Sequence, residues 1–581
     1  LGVCLGRTTI TSVPKDDVDR IGGDEQFKII HTRQAGKKAK GPRVYYRLRS
    51  GFGPDWEIPN NDIKSNAHAV LERVFFVKLN GKFQRAPKPW DHADVMTAAA
   101  DHEYPDRQAR KLGTEHVNRT FKPFLKDLEM RYRETGADPL DPLSETEFVD
   151  AYTGSKKKLY AAAVESLKKR PFDMRKDSRV TAFVKDEYSK GVPRIIQPRS
   201  PRFNVMLGRH IKHVEHTIYE TIDCVFDPSQ EHVTVQKGRN PIERGNAIAA
   251  AWFKIDDPVC IETDAARFDQ HLNEPLLDNA NSATKIFCSN NRDEYLVSVK
   301  TLLDAQRRNV GRVYNHEGTI KYKVRGCGMS GDMNTSLRNV IVMCGGTYEF
   351  MKQIGVSEYF YGNDGDDGWL ITSRRHLKRI LEAMEAWWIK LGITMKIEGV
   401  SYNLEDITFC QGRPVYTDDN GYVLMPIPQK RLYADLVTTK NLASKKVFHA
   451  WVGAVAGCGL SNTRGVPVLQ NHYQWLARTS YPWVPSSSHW LHNPYSWWTG
   501  SAEVTQRWEY KPPSIRSRIS FYFAFDIAPA EQLVLEKYYD NLDSLKWTTP
   551  VESTRTYIPP IFQALVPPVQ KDRILDVDVN V

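Results

Sequence analysis

Asp366 and Asp367 stand side by side in the run Tyr361-Gly362-Asn363-Asp364-Gly365-Asp366-Asp367-Gly368-Trp369-Leu370-Ile371. Gly365 and Gly368 supply turn conformations that other residues resist. The flanking residues Tyr359-Phe360-Tyr361 and Trp369-Leu370-Ile371 read as strands, so the acids fall in a tight turn between two of them. Adjacent carboxylates repel each other. A hard divalent cation that also holds phosphate oxygens is the usual physical reason for placing them so.

Other groups capable of chemistry lie upstream. Val259-Cys260-Ile261-Glu262-Thr263-Asp264 reads as a strand ending in an acid, and Asp269 follows five residues later. A capping Asp with a surface Asp accounts for this pair as well as a metal site does. Gly326 to Asn339 reads as a loop running into a helix that carries Ser330, Thr335 and Asn339, with Thr335 and Asn339 one turn apart on a single face. That face is either a satisfied polar surface or a binding surface for a hydroxylated ligand. Lys185, Lys190, Arg194, Arg199 and Arg202 are interleaved with Pro193, Pro198 and Pro201. Five cations on Pro-stiffened backbone suit the clamping of a triphosphate or a template backbone.

The elements that must position these groups are partly legible. Between Arg374 and Leu391 apolar residues recur at three and four, with Gly392 just beyond, which predicts an amphipathic helix with a glycine stop. Ile393, Met395 and Ile397 then alternate with Thr394 and Lys396, as in a half-buried strand. At 581 residues and 41% hydrophobic composition the chain has the make-up of a folded protein with several packed regions. Its 80 basic and 70 acidic residues leave a net charge of +10, which favours a polyanionic partner. No acid occurs from Gln26 to Pro54, where Lys28, Arg33, Lys37, Lys38, Lys40, Arg43, Arg47 and Arg49 gather around Tyr45 and Tyr46. This stretch reads equally as a phosphate-tracking segment or a solvated arm.

The Trp- and Pro-rich part from about 470 to 510 reads first as packed irregular loops and second as a base-stacking surface. Eight scattered cysteines without a Cys-x-x-Cys pair fit a reduced, intracellular protein. No run approaches the roughly 18 apolar residues that span a bilayer, so any membrane anchor is expected outside the chain. The Leu1 start is read as that of a fragment, a processed product or the downstream part of a longer translation product.

Taken in order, the basic Pro-Arg segment, Asp264 with Asp269, Ser330-Gly331 with Thr335 and Asn339, Gly365-Asp366-Asp367, and Lys396 after a long helix resemble motifs F, A, B, C and D of the RNA-dependent RNA polymerases of positive-strand RNA viruses. Pro193-Arg194-Ile195-Ile196-Gln197-Pro198-Arg199-Ser200-Pro201-Arg202, Arg267-Phe268-Asp269-Gln270-His271 and Ser330-Gly331-Asp332-Met333-Asn334-Thr335 look like the tombusvirus-like versions of these motifs. The segment Tyr152 to Tyr160, with Gly154, is similar to that group's template-admitting segment, and Phe409-Cys410-Gln411 to its motif E turn. The resemblance spans about 150 to 540. Two positions depart from it: Asp364 stands where the pattern leads to Asn, and Gly368 where Cys is common.

The resemblance implies an α+β right-hand polymerase, with fingers, palm and thumb and an antiparallel palm sheet flanked by helices. The expected division is a basic extension over 1–90, fingers over 91–255, palm over 256–274, a fingers insertion over 275–325, palm again over 326–420, and thumb with a tail over 421–581. It implies RNA-templated synthesis from NTPs with release of pyrophosphate, initiated without a primer. Two Mg²⁺ ions, with Mn²⁺ as a substitute, would be held by Asp264, Asp366 and the weaker Asp367. Asp269, Ser330, Thr335 and Asn339 would sense the ribose 2′-hydroxyl, and Lys185 and Arg194 would neutralise the triphosphate. Lys190, Arg199 and Arg202 would share that work or hold template beside Tyr152 and Gly154. Lys396 would protonate the departing pyrophosphate.

The implied partners are viral RNA template, nascent strand, NTPs and an upstream or accessory viral replication protein. The implied setting is the host cytoplasm at membrane-bound replication complexes. Rivals in related chemistry are a reverse transcriptase and a metal-dependent nuclease; a basic RNA-packaging protein is the rival without chemistry.

Overall fold

The structure, a computed structural model, describes residues 25–31, 46–47, 62–79, 82–185, 187, 192–289, 297–315, 317–435, 437–438, 445–480 and 510–544. It combines helices with several sheets in two compact units. One comprises Leu1–Arg43, Glu57–Lys237 and Ala247–Cys410; the other comprises Val44–Trp56, Gly238–Asn246 and Gln411–Val581.

The first unit is organised around a four-stranded, wholly antiparallel sheet. Its strands are β1 (Pro258–Ala265), β2 (Tyr359–Asp364), β3 (Asp367–Ser373) and β4 (Met395–Ser401), in the order β2-β3-β1-β4. Val259, Cys260 and Ile261 in β1 and Trp369, Leu370 and Ile371 in β3 are buried in unbroken runs, the pattern of strands covered on both faces. The cover is helical. Long helices α1 (Pro105–Glu134), α2 (Pro201–Phe226), α3 (Glu274–Phe287), α4 (Thr335–Gln353) and α5 (Leu377–Lys390) share one apolar core with the sheet, through residues such as Phe121, Phe203, Leu276, Ile341 and Trp388.

Local sequence explains the boundaries. Pro201 opens α2 behind Ser200, whose hydroxyl accepts from the Phe203 amide at 3.1 Å. Asn273 caps α3 in the same way, through the Leu276 amide at 3.1 Å. The predicted glycine stop is present: Gly392 follows α5 with φ +83°, a conformation other residues adopt only at a cost.

A five-stranded sheet lies in the same unit, in the order Gln26–His31, Gly318–Arg325, Arg308–Asn315, Val180–Val184 and Ile195–Ile196. The start of the acid-free stretch is thus an edge strand paired antiparallel with Gly318–Arg325, and to that extent not a loose arm. Apart from Tyr46–Arg47, the rest of that stretch lies outside the described residues.

The second unit contains a hairpin, Gly412–Thr417 with Gly421–Pro426, and helices Lys445–Leu460, Leu469–Ser480, Ile515–Phe525 and Pro529–Asn541. Trp451, Trp475, Tyr473, Phe521 and Leu535 fill its core. Trp475 is a packing residue whose indole N–H donates to the Asp543 carbonyl at 2.9 Å. Trp483, Trp490, Trp497, Trp498 and Trp508 lie outside the described residues. Among the described residues, no helix is long and apolar enough to cross a membrane.

Candidate active site

Strand register assembles the acids. Asp367 of β3 stands directly opposite Asp264 of β1, and Lys396 of β4 stands opposite Asp264 on its other side. Asp364 of β2 is opposite Asp367. Residues directly opposite in a ladder project from the same face, so Asp364, Asp367, Asp264 and Lys396 form one row across all four strands. Lys237 closes the other end of the row, its Nζ 2.9 Å from Asp364 Oδ1. Three carboxylates are therefore flanked by an ammonium at each end.

Asp366 sits in the two-residue turn joining β2 to β3. Gly365, with φ +83°, makes that turn sterically accessible. Asn363, wholly buried, holds it from inside: its Nδ2 donates to the carbonyls of Gly365 (3.0 Å) and Asp367 (3.1 Å), and its Oδ1 accepts from the Gly365 amide (3.1 Å). The Asn that the family pattern places beside the acids is thus supplied one residue before Asp364. The outer edge of β2 is covered by segment 234–236, through Gln236 N–H to the Asn363 carbonyl and Asn363 N–H to the Thr234 carbonyl, both 2.8 Å.

The electrostatics are those of crowded anions. Burial, followed by repulsion from Asp366 and Glu398, pushes Asp264 up to about 6, against the pull of Lys396. Burial, then Asp366, Asp264 and Asp364, pushes Asp367 up to about 7. Asp366 is open to solvent on its outer side, while surrounding protein and Asp364 still raise its pKa, with Lys237 and Arg194 opposing. All three acids resist carrying their charges together. A divalent cation would remove that conflict.

The donor set is all carboxylate oxygen, the type that suits Mg²⁺ or Mn²⁺ and not a soft metal. Among the described residues, no three Asp, Glu, His or Cys groups close a cage around one point. A cation here would need further ligands, as Mg²⁺ does where substrate phosphates and water complete a shell begun by one or two carboxylates.

A second cluster adjoins the turn. Arg267, at φ +45°, reverses the chain after β1 and leads into the short helix Phe268–His271, which carries Asp269. Asp269 is hydrogen-bonded by Asn339 of α4, and burial raises its pKa to about 6 against the pull of Arg338. One oxygen each of Asp269 and Asn339 is buried without a hydrogen-bond partner. Such orphans are costly unless a ligand meets them.

Ser330 and Thr335 are used differently. The Ser330 hydroxyl donates to the Ile195 carbonyl at 3.0 Å, and that of Thr335 to the carbonyls of Met329 (3.0 Å) and Asp332 (2.9 Å). Both hydroxyl protons tie down the loop ahead of α4.

The basic segment divides. Lys185 and Arg194 remain half-exposed to exposed and converge on Glu187, at 2.8 Å and 3.3 Å, and Arg194 is near enough to favour the Asp366 anion. Arg199 and Arg202 correct the sequence-based expectation that they hold template or triphosphate. Arg199 is buried, with Nε 2.6 Å from Asp332 Oδ1, Nη1 donating to the Ser178 carbonyl and Nη2 to Asn309. Arg202 is buried against Asp177 and the carbonyls of Ser166, Arg170 and Pro171. Guanidinium groups buried and paired in this way are not placed to meet phosphate.

Lys190 lies outside the described residues. Tyr152 joins an aromatic group with Phe148 and Tyr160, its ring beneath the Lys212 ammonium. Gly154 opens the helix Gly154–Lys169 at φ +58°. Neither position brings Tyr152 or Gly154 into the carboxylate row.

Sequence reasoning passed over Lys237 and Arg338, and gave Asn363 and Cys410 no part in the site. The thiol of Cys410 lies 3.8 Å from Asp364 Oδ2, in a left-handed conformation at φ +48°. A non-glycine residue strained next to an acidic row is the kind of signal that only coordinates provide.

An antiparallel sheet with two acids in register, a third in the adjoining Gly-Asp-Asp turn and a polar helix alongside is an arrangement that suits metal-assisted chemistry on phosphate. The chain belongs to the viral RNA-dependent RNA polymerases, whose family profile matches residues 102–547. It is 33% identical over 518 residues to the RNA-directed RNA polymerase of tomato bushy stunt virus (strain Cherry), covering 88% of this chain and 57% of the relative. It is 32% identical over 499 residues to that of tobacco necrosis virus (strain A), covering 83% and 62%, and 30% identical over 519 residues to that of turnip crinkle virus, covering 87% and 60%. The chain thus spans a little over half the length of these relatives.

Proposed function

We propose that the chain catalyses RNA-templated RNA synthesis for viral replication, adding NTPs to a growing 3′-end at the Asp264–Asp366–Asp367 centre. One observation carries this reading: Asp367 opposite Asp264 in the ladder, with Asp366 in the adjoining turn, sets three carboxylates together. In this reading the four-stranded sheet is the palm, the basic five-stranded sheet belongs to the fingers, and the second unit is the thumb.

Bound Mg²⁺, or Mn²⁺ in its place, would supply Lewis-acid activation of the 3′-hydroxyl and neutralisation of the phosphates. Asp264 and Asp366 orient that chemistry, with Asp367 in support. Lys185 and Arg194, exposed on the flank nearest Asp366, draw the triphosphate in. Asp269 accepts the hydrogen bond of the ribose 2′-hydroxyl, with Asn339 hydrogen-bonded to Asp269 beside it, so a deoxyribose leaves the carboxylate unmatched. Ser330 and Thr335 hold the loop that frames this pair. Lys396, beside Asp264 in the row, donates a proton as pyrophosphate leaves. Initiation is primer-independent. The setting is the host cytoplasm, at membrane-bound complexes where an accessory viral replication protein supplies the attachment.

The test is primer-independent synthesis on a short RNA template with Mg²⁺, comparing NTPs with dNTPs. Template-length RNA made from NTPs is expected. Dominant dNTP incorporation would convert the reading to a reverse transcriptase, and template cleavage without synthesis would convert it to a nuclease.

A further inference from the structure

Asp269 has a neighbour that the proposed reaction does not use. Arg338 of α4 is fully buried, its side chain 1% exposed, whereas the Asp269 side chain is 32% exposed. Arg338 Nη2 lies 3.7 Å from Asp269 Oδ1, and its Nη1 lies 3.3 Å from Asp332 Oδ2. Its Nε and Nη2 have no hydrogen-bond partner, and neither has Asp269 Oδ1. Two charged groups therefore face each other at a distance just beyond a hydrogen bond, each with unused capacity. Behind them Asp332 is shared with Arg199, which also holds Asn309, so Asn309, Arg199, Asp332, Arg338 and Asp269 form one buried chain of alternating partners.

Gly328 completes the arrangement. A Cβ at this position would come within 2.6 Å of Arg338 Nη2 and 2.9 Å of Asp269 Oδ1. Only a residue without a side chain lets the pair face each other there. The Gly328 amide also donates to the Asp269 carbonyl at 2.6 Å, which fixes the backbone that carries the acid.

We infer that Arg338 is a positioning residue for ribose selection: from behind, it keeps the Asp269 carboxylate ionised and aimed at the open side of the site, where the incoming nucleotide's 2′-hydroxyl donates to it. A carboxylate accepts that hydrogen bond well only when it is ionised and held still. The inference rests on the polymerase reading and on Asp269 sensing the ribose.

The test measures single-nucleotide incorporation by the full chain on an RNA template, with a matched NTP and its 2′-deoxy analogue, for the unaltered protein, Arg338→Met, Arg338→Lys and Gly328→Ala. Arg338→Met is expected to cut the NTP-over-dNTP ratio of kcat/KM by about tenfold or more, mainly through a higher KM for the NTP. Arg338→Lys should restore part of the ratio by returning the charge. Gly328→Ala should lower it without touching either charge, which keeps the inference open to refutation even if Arg338→Met fails to fold. A merely structural Arg338 would slow both substrates alike; ratios unchanged in Arg338→Met, or in Gly328→Ala when Arg338→Met does not fold, would overturn the inference and leave the polymerase reading standing. An unaltered chain that synthesises nothing would overturn both.

Discussion

Two acidic regions of the first unit obey opposite rules. Asp177 and Asp332 are buried with a guanidinium against each, Arg202 at 3.1 Å and Arg199 at 2.6 Å, and the remaining donors satisfy backbone carbonyls and Asn309. Asp264 and Asp367 crowd Asp366 at the ends of the sheet's two central strands, where Lys396 and Lys237 stand at the two ends of the row. The first arrangement completes itself within the protein and acts as a fastener. In the second, burial and mutual repulsion raise the pKa values of Asp264 and Asp367, a conflict that a cation from outside would relieve.

The sharpest way to break this contrast is Asp366→Asn. Synthesis is expected to fall by about three orders of magnitude or more, while RNA binding and the melting temperature are retained. Loss of RNA binding in step with synthesis would place Asp366 among the fasteners. Arg199→Met should do the reverse. Stranding Asp332 in the interior is expected to cost about 3–5 kcal/mol, seen in chemical denaturation, and any loss of synthesis should track the loss of folded protein.

Lys396→Leu is expected to slow the chemical step by about a hundredfold in single-turnover kinetics, since it removes the cation at one end of the row. A slowing that shrinks with NTP analogues whose leaving group needs no protonation would fit a proton donor, and an equal slowing would limit Lys396 to electrostatics. Smaller still is Arg194→Ala: a rise in KM for NTP of about tenfold, with kcat little altered, measured by steady-state incorporation.

Acidity sharpens the same comparison. In metal-free protein, Asp264 at about 6 and Asp367 at about 7 bind protons in the native state that an unfolded chain has already released near 3.8. Their contribution to stability is thus most favourable near pH 4 and declines as pH rises through about 7. A melting-temperature series in chelator should show a steeper fall over that window for the unaltered chain than for Asp264→Asn. Added Mg²⁺ should flatten it, and more Mg²⁺ should be needed for half-maximal synthesis below pH 7.

Much of this site was readable in the sequence, because it depends on local pattern. The turn at Gly365, the strands beside it, the end of β1 at Asp264 and the glycine stop of α5 all follow from periodicity and turn chemistry within a few residues. What was hidden depends on pairing across the chain. The register that puts Lys396 beside Asp264 cannot be obtained from either strand alone. The five cations from Lys185 to Arg202 look alike in sequence, yet Arg199 and Arg202 meet acids 133 and 25 residues away and turn inward. Arg338 was invisible for the same reason, since its partners come from separate segments at Asp269 and Asp332. Composition also misled: the acid-free stretch from Gln26 begins as an ordinary sheet strand.

The central claim is that Asp264, Asp366 and Asp367 together form a cation site. Mn²⁺ binding by electron paramagnetic resonance, with template and NTP present, tests it most directly. The account expects tight Mn²⁺ binding by the unaltered chain, competition by Mg²⁺, and loss of that binding in Asp264→Asn and in Asp366→Asn, both still folded. Equal Mn²⁺ binding by all three proteins would contradict it.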